Sequence, residues 1–330
     1  MITSSSTYEL VGSPRHQFDL FFNATGYEER ASSLVRYQCV IAKQFVSLLF
    51  ADHRVLKFAD NLRVMESRQT ILVDDSNDFF RRGFEQFSNA LVNRLGKKLR
   101  VGIDVSSMNR TMAATTLSTV FAYRSIIDSL ELFYVPAKFK RPKLLFSPIQ
   151  QIGAVTPELS GFDSEPALPV ALILGLGYEY GSAVGIINQL EPQITLCFRA
   201  IGHDVRFEEA VRRANLEFDF GAYNVSVSEY ELLDLKSAYQ HIENIVHSLI
   251  GGFRVVMVPM GPKILSALLV LIALRYFGRI SVWRVARPLE QPVSVLPDNL
   301  YVSAVVDLIS PSLGLHLDQL KMMLCGGDGV

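Results

Sequence analysis

The stretch Val170-Ala-Leu-Ile-Leu-Gly-Leu-Gly-Tyr-Glu179 is the best indication of the fold class, because its pattern occurs twice in the chain. Its Gly177-Tyr178-Glu179 repeats Gly26-Tyr27-Glu28, which lies 151 residues earlier and also follows an apolar run, Phe18-Asp-Leu-Phe-Phe22. A short apolar run bounded by a glycine-containing loop is typical of a buried parallel strand. The repeat therefore predicts two copies of one strand–loop unit.

A second landmark recurs in the same order. Leu99-Arg-Val101 opens an apolar run that ends in Ser106-Ser-Met-Asn-Arg110. Phe253-Arg-Val255, 154 residues later, opens a run that ends in Pro259-Met-Gly-Pro-Lys263. Two landmarks at nearly the same separation favour an internal duplication of an α/β unit.

Strands and helices alternate through both copies, which is typical of parallel sheets with right-handed crossovers. In the first copy we predict strands at about 18–23, 54–59, 69–74, 99–105 and 130–135 and helices at about 28–50, 78–95 and 109–124. In the second copy we predict strands at about 170–174, 194–199, 223–227, 253–258 and 279–285 and helices at about 180–190, 205–214, 228–250 and 262–276. The predicted fold class is α/β, with two tandem Rossmann-like, doubly wound, mostly parallel sheets.

The copies set the predicted domain limits. We place the first Rossmann-like unit at residues 1–136, a linker at 137–168, the second unit at 169–286 and a C-terminal tail at 287–330. The tail is expected to run extended past its prolines and then to form a helix over roughly 299–324. We expect it to bind a protein partner or a second copy of the chain.

The overall charge argues against a nucleic-acid-binding protein. The 330-residue chain is 49% hydrophobic and 20% charged, with a net charge of −1. A local basic cluster, Lys138, Lys140, Arg141 and Lys143, is interpreted as a solvated linker. Direct nucleic-acid binding is therefore not expected.

The remaining bulk features indicate a cytoplasmic protein. Three widely spaced cysteines form neither a disulfide framework nor a metal knuckle, and the six histidines have no metal-type spacing. The N-terminus lacks the pattern of a signal peptide. The most apolar segment, 264–277, is too short to span a bilayer, which needs roughly 20 residues. We expect no metal, no required cofactor and no membrane association.

Ligands of open parallel sheets bind at the carboxyl ends of the strands, near the switch point in strand order. Both landmarks lie at such ends. The first copy is the more polar there, with small hydroxyl residues that suit an anion at a helix N-terminus, arginines for bidentate contacts and carboxylates for acid–base chemistry. Its candidate ligand-binding residues are Thr25, Gly26, Tyr27, Arg30, Ser106, Ser107 and Asn109, and its candidate catalytic residues are Glu28, Glu29, Asp104 and Arg110. The structural alternative is that the serines cap a helix and that Arg30 pairs with a carboxylate.

The second copy offers fewer polar groups at the equivalent ends. Its candidate ligand-binding residues are Gly175, Gly177, Tyr178, Glu179, Gly261 and Lys263. Gly175-Leu-Gly177 resembles the start of a dinucleotide-binding fingerprint, but the third glycine comes one residue late, at 181. The structural alternative is that these glycines permit close packing of strand and helix.

The strand, Gly-Pro-Lys turn and helix over 255–276 resemble the strand, Gly-Thr-Lys turn and helix of CRISPR-associated Rossmann-fold (CARF) sensor domains. The loop after Val170–Leu174 lies where that family has its first ligand loop. The resemblance implies that two Rossmann-like domains hold a cyclic oligonucleotide between them, with Gly261 and Lys263 near phosphate and Gly177–Glu179 on the opposite wall. The first copy departs from this pattern, because Ser107, Asn109 and Arg110 replace Gly-Pro-Lys.

Three functions remain open from the sequence. The first is a nucleotide-sensing or regulatory subunit of a bacterial defence-type system, with a nucleotide-like ligand between the two halves. The second is an enzyme that acts on a nucleotide or nucleic acid through Glu28, Glu29, Asp104 and Arg110. The third is a non-catalytic subunit that docks through its tail. No classical catalytic motif is present, so the sequence does not require an enzyme.

Overall fold

The structure is a computed structural model, and it describes residues 1–74, 76–143, 148–179, 181–215, 225–288, 291–308 and 317–325. Contacts among the α-carbons divide the chain into two units, Met1–Lys138 with Gln291–Val330, and Phe139–Glu290. None of the helices in the described ranges is long and apolar enough to cross a membrane.

The first unit contains a seven-stranded sheet. Its strands are β1 (Ile2–Glu9), β2 (His16–Thr25), β3 (Val40–Leu49), β4 (Ile71–Val73), β5 (Leu99–Asp104), β6 (Ile127–Tyr134) and β13 (Leu300–Val306). Its helices are α1 (Ser33–Arg36), α2 (Phe58–Glu66), α3 (Ser76–Asp78), α4 (Phe84–Leu95), α5 (Arg110–Ala122) and α10 (Leu317–Cys325), with a π-helical turn at Phe79–Gly83.

The second unit contains a six-stranded sheet. Its strands are β7 (Gln151–Ala154), β8 (Val170–Gly175), β9 (Ile194–Ile201), β10 (Val225–Glu231), β11 (Arg254–Val258) and β12 (Ile280–Ala286). Its helices are α6 (Ser182–Leu190), α7 (Val205–Ala214), α8 (Leu235–Leu249) and α9 (Lys263–Arg275).

Both sheets have the same strand order. In the first sheet the parallel strands lie in the order β4-β3-β2-β5-β6, and in the second sheet they lie in the order β10-β9-β8-β11-β12. In each unit this is the order third, second, first, fourth, fifth, which is the Rossmann order with its switch point between the first and fourth strands. The structure confirms the predicted α/β class with two mostly parallel sheets.

Each sheet gains an antiparallel strand from outside its five parallel strands, β7 at the edge of the second sheet and β13 in the interior of the first. The strand β7 follows the first unit in sequence, but it pairs with β12. The strand β13 follows the second unit, but it pairs with β6 on one side and β1 on the other. The predicted linker and tail thus each supply a strand to a sheet, and this is why the observed units differ from the predicted limits.

Three predicted elements are wrong. The helix predicted from about 299 is absent at its start, where Leu300–Val306 form the strand β13. Residues 309–316 and 326–330 of the predicted tail lie outside the described residues. The predicted helix at 28–50 ends at α1, where Gln38 has a φ of +58°, and β3 follows. The predicted strand at 54–59 instead leads into α2. Strand pairing on both sides of β3 and β13 outweighs local helix propensity in these segments.

A buried carboxylate lies near the start of β2. Asp19 is 3% exposed, and its oxygens contact the Lys97 and Lys43 ammonium groups at 2.8 and 2.9 Å and the Arg100 backbone N–H at 3.0 Å. Burial alone would raise the pKa of Asp19, but the two lysines and the N–H lower it from 3.8 to about 2. The carboxylate therefore stays charged in the folded protein.

We expect Asp19→Asn to lower the free energy of unfolding at pH 7 by about 2 kcal/mol, because both lysines lose their partner. The pKa is depressed on folding, so this stabilisation is present above pH 3.8 and is lost as the pH falls through about 2. Urea unfolding at pH 7 and pH 2.5 should show the difference between variant and native protein shrinking in acid. Asp60→Asn, in an exposed pair with Lys57 and Arg63, is the control and should change stability by less than about 0.5 kcal/mol at either pH. A pH-independent effect of the Asp19 variant would contradict the assignment.

Candidate functional site

The carboxyl ends of β2 and β5 lie side by side in the first unit, as the duplication predicts. The residues after β5 form a closed network. The Asp104 carboxylate accepts hydrogen bonds from the Ser106 backbone N–H at 2.9 Å and from the Ser106 hydroxyl. That hydroxyl oxygen in turn accepts the Val135 N–H at 2.8 Å. Asp104 and Ser106 therefore tie the end of β5 to the chain after β6.

The residues after β2 reach the same point. Arg30 is 6% exposed, its Nε donates to the Glu28 carboxylate at 2.7 Å, and its Nη1 donates to the Val135 carbonyl at 3.1 Å. Burial alone would lower the pKa of the Arg30 guanidinium, but the Glu28 carboxylate and Tyr134 raise it above its ordinary value. The guanidinium carbon lies 5.8 Å from the centre of the Tyr134 ring. The structural alternative considered for Arg30, a pairing with a carboxylate, is the one observed.

The loop after β2 is fixed from a second side by α2. The Asn61 amide donates to the carbonyls of Gly26 and Glu28 at 2.9 and 2.8 Å, and its oxygen accepts the Ser32 hydroxyl at 2.7 Å. Thr25 Oγ1 lies 2.6 Å from Ser47 Oγ on β3. This part of the predicted site is a buried hydrogen-bonded frame.

The other first-unit candidates also have structural contacts. Asn109 caps α5 by accepting the Met112 N–H at 2.8 Å, which places Arg110 as the first residue of that helix. The Glu29 backbone N–H donates to the Ser294 hydroxyl at 3.2 Å. Tyr27 contacts Phe50 and His53 edge-on, and burial raises the pKa of its phenol. Ser107 is the exception, because it is 3% exposed and its hydroxyl has no hydrogen-bond partner among the described residues.

The second unit brings its two predicted loops into backbone contact. The loops follow β8 and β11, the adjacent first and fourth strands of the sheet. A β-carbon on Gly177 would lie 2.7 Å from both the Cα and the N of Gly261, and one on Gly175 would lie 2.5 Å from a Leu265 methyl. Gly261 has a φ of +79°, which side-chain-bearing residues rarely adopt. Three of the predicted glycines are therefore required where these loops cross.

Polar groups flank this crossing. The Glu179 carboxylate lies 3.5 Å from the Gly261 N–H. The Asn215 amide, at the end of α7, donates to the Gly177 carbonyl at 3.1 Å. Lys263 is the first residue of α9. The Tyr178 ring stacks on Phe207 of α7, with centroids 6.3 Å apart and planes 20° apart.

The structure thus brings the predicted residues together within each unit, but in two different ways. In the first unit Glu28 bonds to Arg30 and Asp104 bonds to Ser106, while Arg30 and Ser106 both bond to Val135. In the second unit the backbones meet and the polar side chains stand at the border of the contact. Sequence reasoning missed Asn61, Val135 and Asn215, whose role is set by contacts with residues distant in the chain. No group of three or more histidine, cysteine, aspartate or glutamate residues within the described ranges is arranged to hold a metal ion.

No protein-family model matches the chain, and no curated protein matches it significantly. Among solved structures, the chain is similar to UDP-GlcNAc 2-epimerase from Neisseria meningitidis bound to UDP-GlcNAc, with 10% sequence identity over 74% of this chain and 77% of that chain. The TM-score of this comparison is 0.18, so it carries no argument about function. The class defined by the structure itself is an α/β protein with two Rossmann-like sheets in one chain.

Proposed function

We propose that the protein is a non-catalytic regulatory protein that binds a nucleotide-like anion at the carboxyl edge of the second unit's sheet. The observation that carries the proposal is the glycine-only crossing of the loops after β8 and β11. It lies at the switch point, where ligands of open parallel sheets bind. Glycine at this point lets the two loops come into backbone contact, and we take the edge of that contact as the place where the ligand binds.

The groups around the crossing suit a nucleotide. Lys263 adds a cation at the first turn of α9, where the helix N-terminus also favours negative charge. The Tyr178 ring supplies an aromatic surface beside the same loop. A ligand with a phosphate and an aromatic base would match both groups.

The finer parts of the proposal rest on the resemblance of 255–276 to CARF domains. They are the role as a sensor or regulatory subunit and the association with antiviral defence. The Gly261-Pro-Lys263 turn between β11 and α9 supports them, because it is the feature on which the resemblance depends.

The enzyme alternative has less support. Its candidate carboxylates Glu28 and Asp104 are engaged with Arg30 and Ser106 inside the first unit. A catalytic carboxylate must be within reach of the substrate proton that it transfers. No contact of these residues favours catalysis over their role in fixing loops, so we do not propose an activity for them.

We expect at least one of a panel of mono-, di- and cyclic nucleotides to stabilise the full chain, by about 2.7 kcal/mol at 100 times its dissociation constant. Calorimetry and thermal unfolding both measure the effect. Gly177→Ala should weaken this binding at least about tenfold, because the new methyl group separates the two loops. Lys263→Gln should weaken it by about the same factor while preserving the fold.

Gly251→Ala is the matched control, because nothing lies within 4 Å of the added methyl group. The control should bind nucleotides like the native protein. If no nucleotide at millimolar concentration raises the melting temperature of the native chain, the proposal fails. If Lys263→Gln binds a stabilising nucleotide with native affinity, the ligand lies elsewhere.

A further inference from the structure

A basic cleft of about 500 Å³ lies on the second unit, and its lining residues come from the segment 139–142 and from α7. We use the name basic cleft for the cavity lined by Phe139, Arg141, Pro142, Arg206, Glu209 and Arg213. It joins the chain that enters the unit to one face of α7. Three guanidinium groups and one carboxylate thus face a cavity of the size that holds small ligands in proteins.

Cations outnumber carboxylates around this cavity. The segments 139–143 and 203–215 together carry six lysines and arginines against three acidic residues. Arg213 pairs with Glu209 at 2.7 Å and Arg206 pairs with Asp204 at 2.6 Å, whereas Glu208 lies 3.7 Å from Arg199. Within the described parts of the chain, Arg141 has no ion pair. The cleft therefore has positive charge that its own carboxylates do not neutralise.

Two of the lining groups are held in place before any ligand arrives. Asp204 accepts the Arg206 backbone N–H at 3.1 Å as the cap of α7, and it also accepts the Nε of the same residue at 2.9 Å. The Arg206 guanidinium lies over the Phe139 ring, 5.0 Å from its centre. Phe139 in turn contacts Phe207 edge-on, with centroids 5.1 Å apart. Groups fixed in this way lose little entropy when an anion binds.

The basic residues at 138–143, which we interpreted as a solvated linker, are exposed, and part of the same segment also lines the cleft. Phe139 and Arg141 from that segment meet Arg206 and Arg213 from α7, more than 60 residues away in sequence. The sequence shows the basic cluster at 138–143 but not its contact with α7, because the two segments are distant in the chain. The cavity volume favours a compact anion over a long nucleic-acid strand.

We propose that the basic cleft binds a polyphosphate group, that is, two or more phosphates in series on a small molecule. Guanidinium groups form paired hydrogen bonds with phosphate oxygens, and Arg141 adds a cation beside the Arg206–Asp204 and Arg213–Glu209 pairs. The Phe139 ring stabilises the Arg206 cation that contacts the phosphate. The cleft and the glycine-loop crossing have different lining residues, although Phe207 of α7 contacts both Phe139 and Tyr178, and the variants at Lys263 and at the three cleft arginines test the two assignments one at a time.

The test is calorimetric titration of the full chain with sodium tripolyphosphate at low ionic strength. We expect saturable one-site binding that is much weaker for inorganic phosphate and weakens as salt is raised. Arg141→Ala, Arg206→Ala and Arg213→Ala should each weaken binding about tenfold. Glu209→Gln should strengthen it, because it removes a competing carboxylate.

Arg212→Ala is the matched control, because Arg212 is an exposed arginine on the same helix that does not line the cleft. Its affinity for tripolyphosphate should be near native. Equal losses in the Arg212 and Arg213 variants would overturn the proposal, because they would indicate attraction by overall charge. Absence of binding to the native chain would also overturn it.

Further titrations identify the source of the phosphates. A nucleoside triphosphate that competes with tripolyphosphate for the cleft supports a nucleotide source. Single-stranded DNA of about ten nucleotides tests the other source. If it binds more tightly than tripolyphosphate, and if the Arg212 variant binds it more weakly, the cleft is part of a nucleic-acid-binding surface and the proposal is wrong. Tripolyphosphate carries no base. If it binds the cleft while no nucleotide binds or stabilises the chain, the polyphosphate proposal stands and the proposed nucleotide-binding function is wrong.

Discussion

Ala304→Pro is expected to lower the free energy of unfolding by about 4 kcal/mol or more and to disrupt the first unit. Ala304 is 1% exposed and sits in the middle of β13, paired with Leu132 of β6 on one side and Ser5 of β1 on the other. Proline removes a ladder N–H and is tolerated only at sheet edges or bulges. Because β13 is an interior strand, its loss also detaches β1 from the sheet.

Amide hydrogen exchange measures this effect strand by strand. We expect protection in β1 and β6 to fall sharply in the variant. Val305→Thr is the control, because Val305 is 39% exposed on the same strand, and it should change stability by no more than about 1 kcal/mol. Native protection of β1 and β6 in the Ala304 variant would mean that β13 is dispensable.

The strand β13 also makes deletion of the C-terminal tail an unsuitable test of the hypothesis that the tail docks on a partner. Deleting 299–330 would remove β13 together with any docking segment, so failure to assemble with a partner would follow from misfolding alone. Substitutions on α10 that leave β13 intact are the better test of the docking alternative. Exposed Met322 of α10, at 66%, offers such a position.

Local signals predicted those elements that carry their own start and stop residues. Helices α5 and α9 were expected at 109–124 and 262–276 and are found at Arg110–Ala122 and Lys263–Arg275. Asn109 caps α5, Pro262 precedes α9, and each helix follows a largely buried strand. The repeated Gly-Tyr-Glu likewise predicted the location of both switch-point loops.

Elements determined by distant pairing were not predictable in this way. The strand β3 lies between β2 and β4, and Val46 and Leu48 are fully buried there, yet no proline or glycine separates it from the preceding helical turns. The pairing of β7 and β13 is also invisible in the sequence, because β7 pairs with β12 and β13 pairs with β6 and β1, all of them distant in the chain. Pairing partners are set by tertiary context rather than by local pattern.

The candidate site shows the same division. The sequence identified glycines 175, 177 and 261, since glycine has a distinctive physical role at a close approach. It did not reveal which polar residues are engaged in internal bonds. Arg30 looked equally suited to a ligand and to a carboxylate until its contacts with Glu28 and Val135 were known.

Arg30→Met is expected to lower the free energy of unfolding by about 3 to 5 kcal/mol, because it removes one partner of a buried ion pair. The Glu28 side chain is only 13% exposed, so its carboxylate would lose the guanidinium without gaining full hydration. The Val135 carbonyl, which is fully buried, would lose its donor as well. Arg63→Met, in a surface pair with Asp60, is the matched control and should cost less than about 0.5 kcal/mol.

A double-mutant cycle separates the ion pair from the rest of the network. If the guanidinium mainly neutralises Glu28, the double variant Arg30→Met with Glu28→Gln should be more stable than the sum of the single effects predicts, by about 2 kcal/mol. The loss of unfolding free energy that remains in the double variant then measures the hydrogen bond from Arg30 to Val135. Val135 also donates to Ser106, so it connects the loops after β2, β5 and β6. Because the expected ligand sites lie in the second unit, anion binding by the folded Arg30 variant should be native. An Arg30 variant with native stability but no anion binding would reverse the assignment and make Arg30 a ligand-binding residue of the first unit.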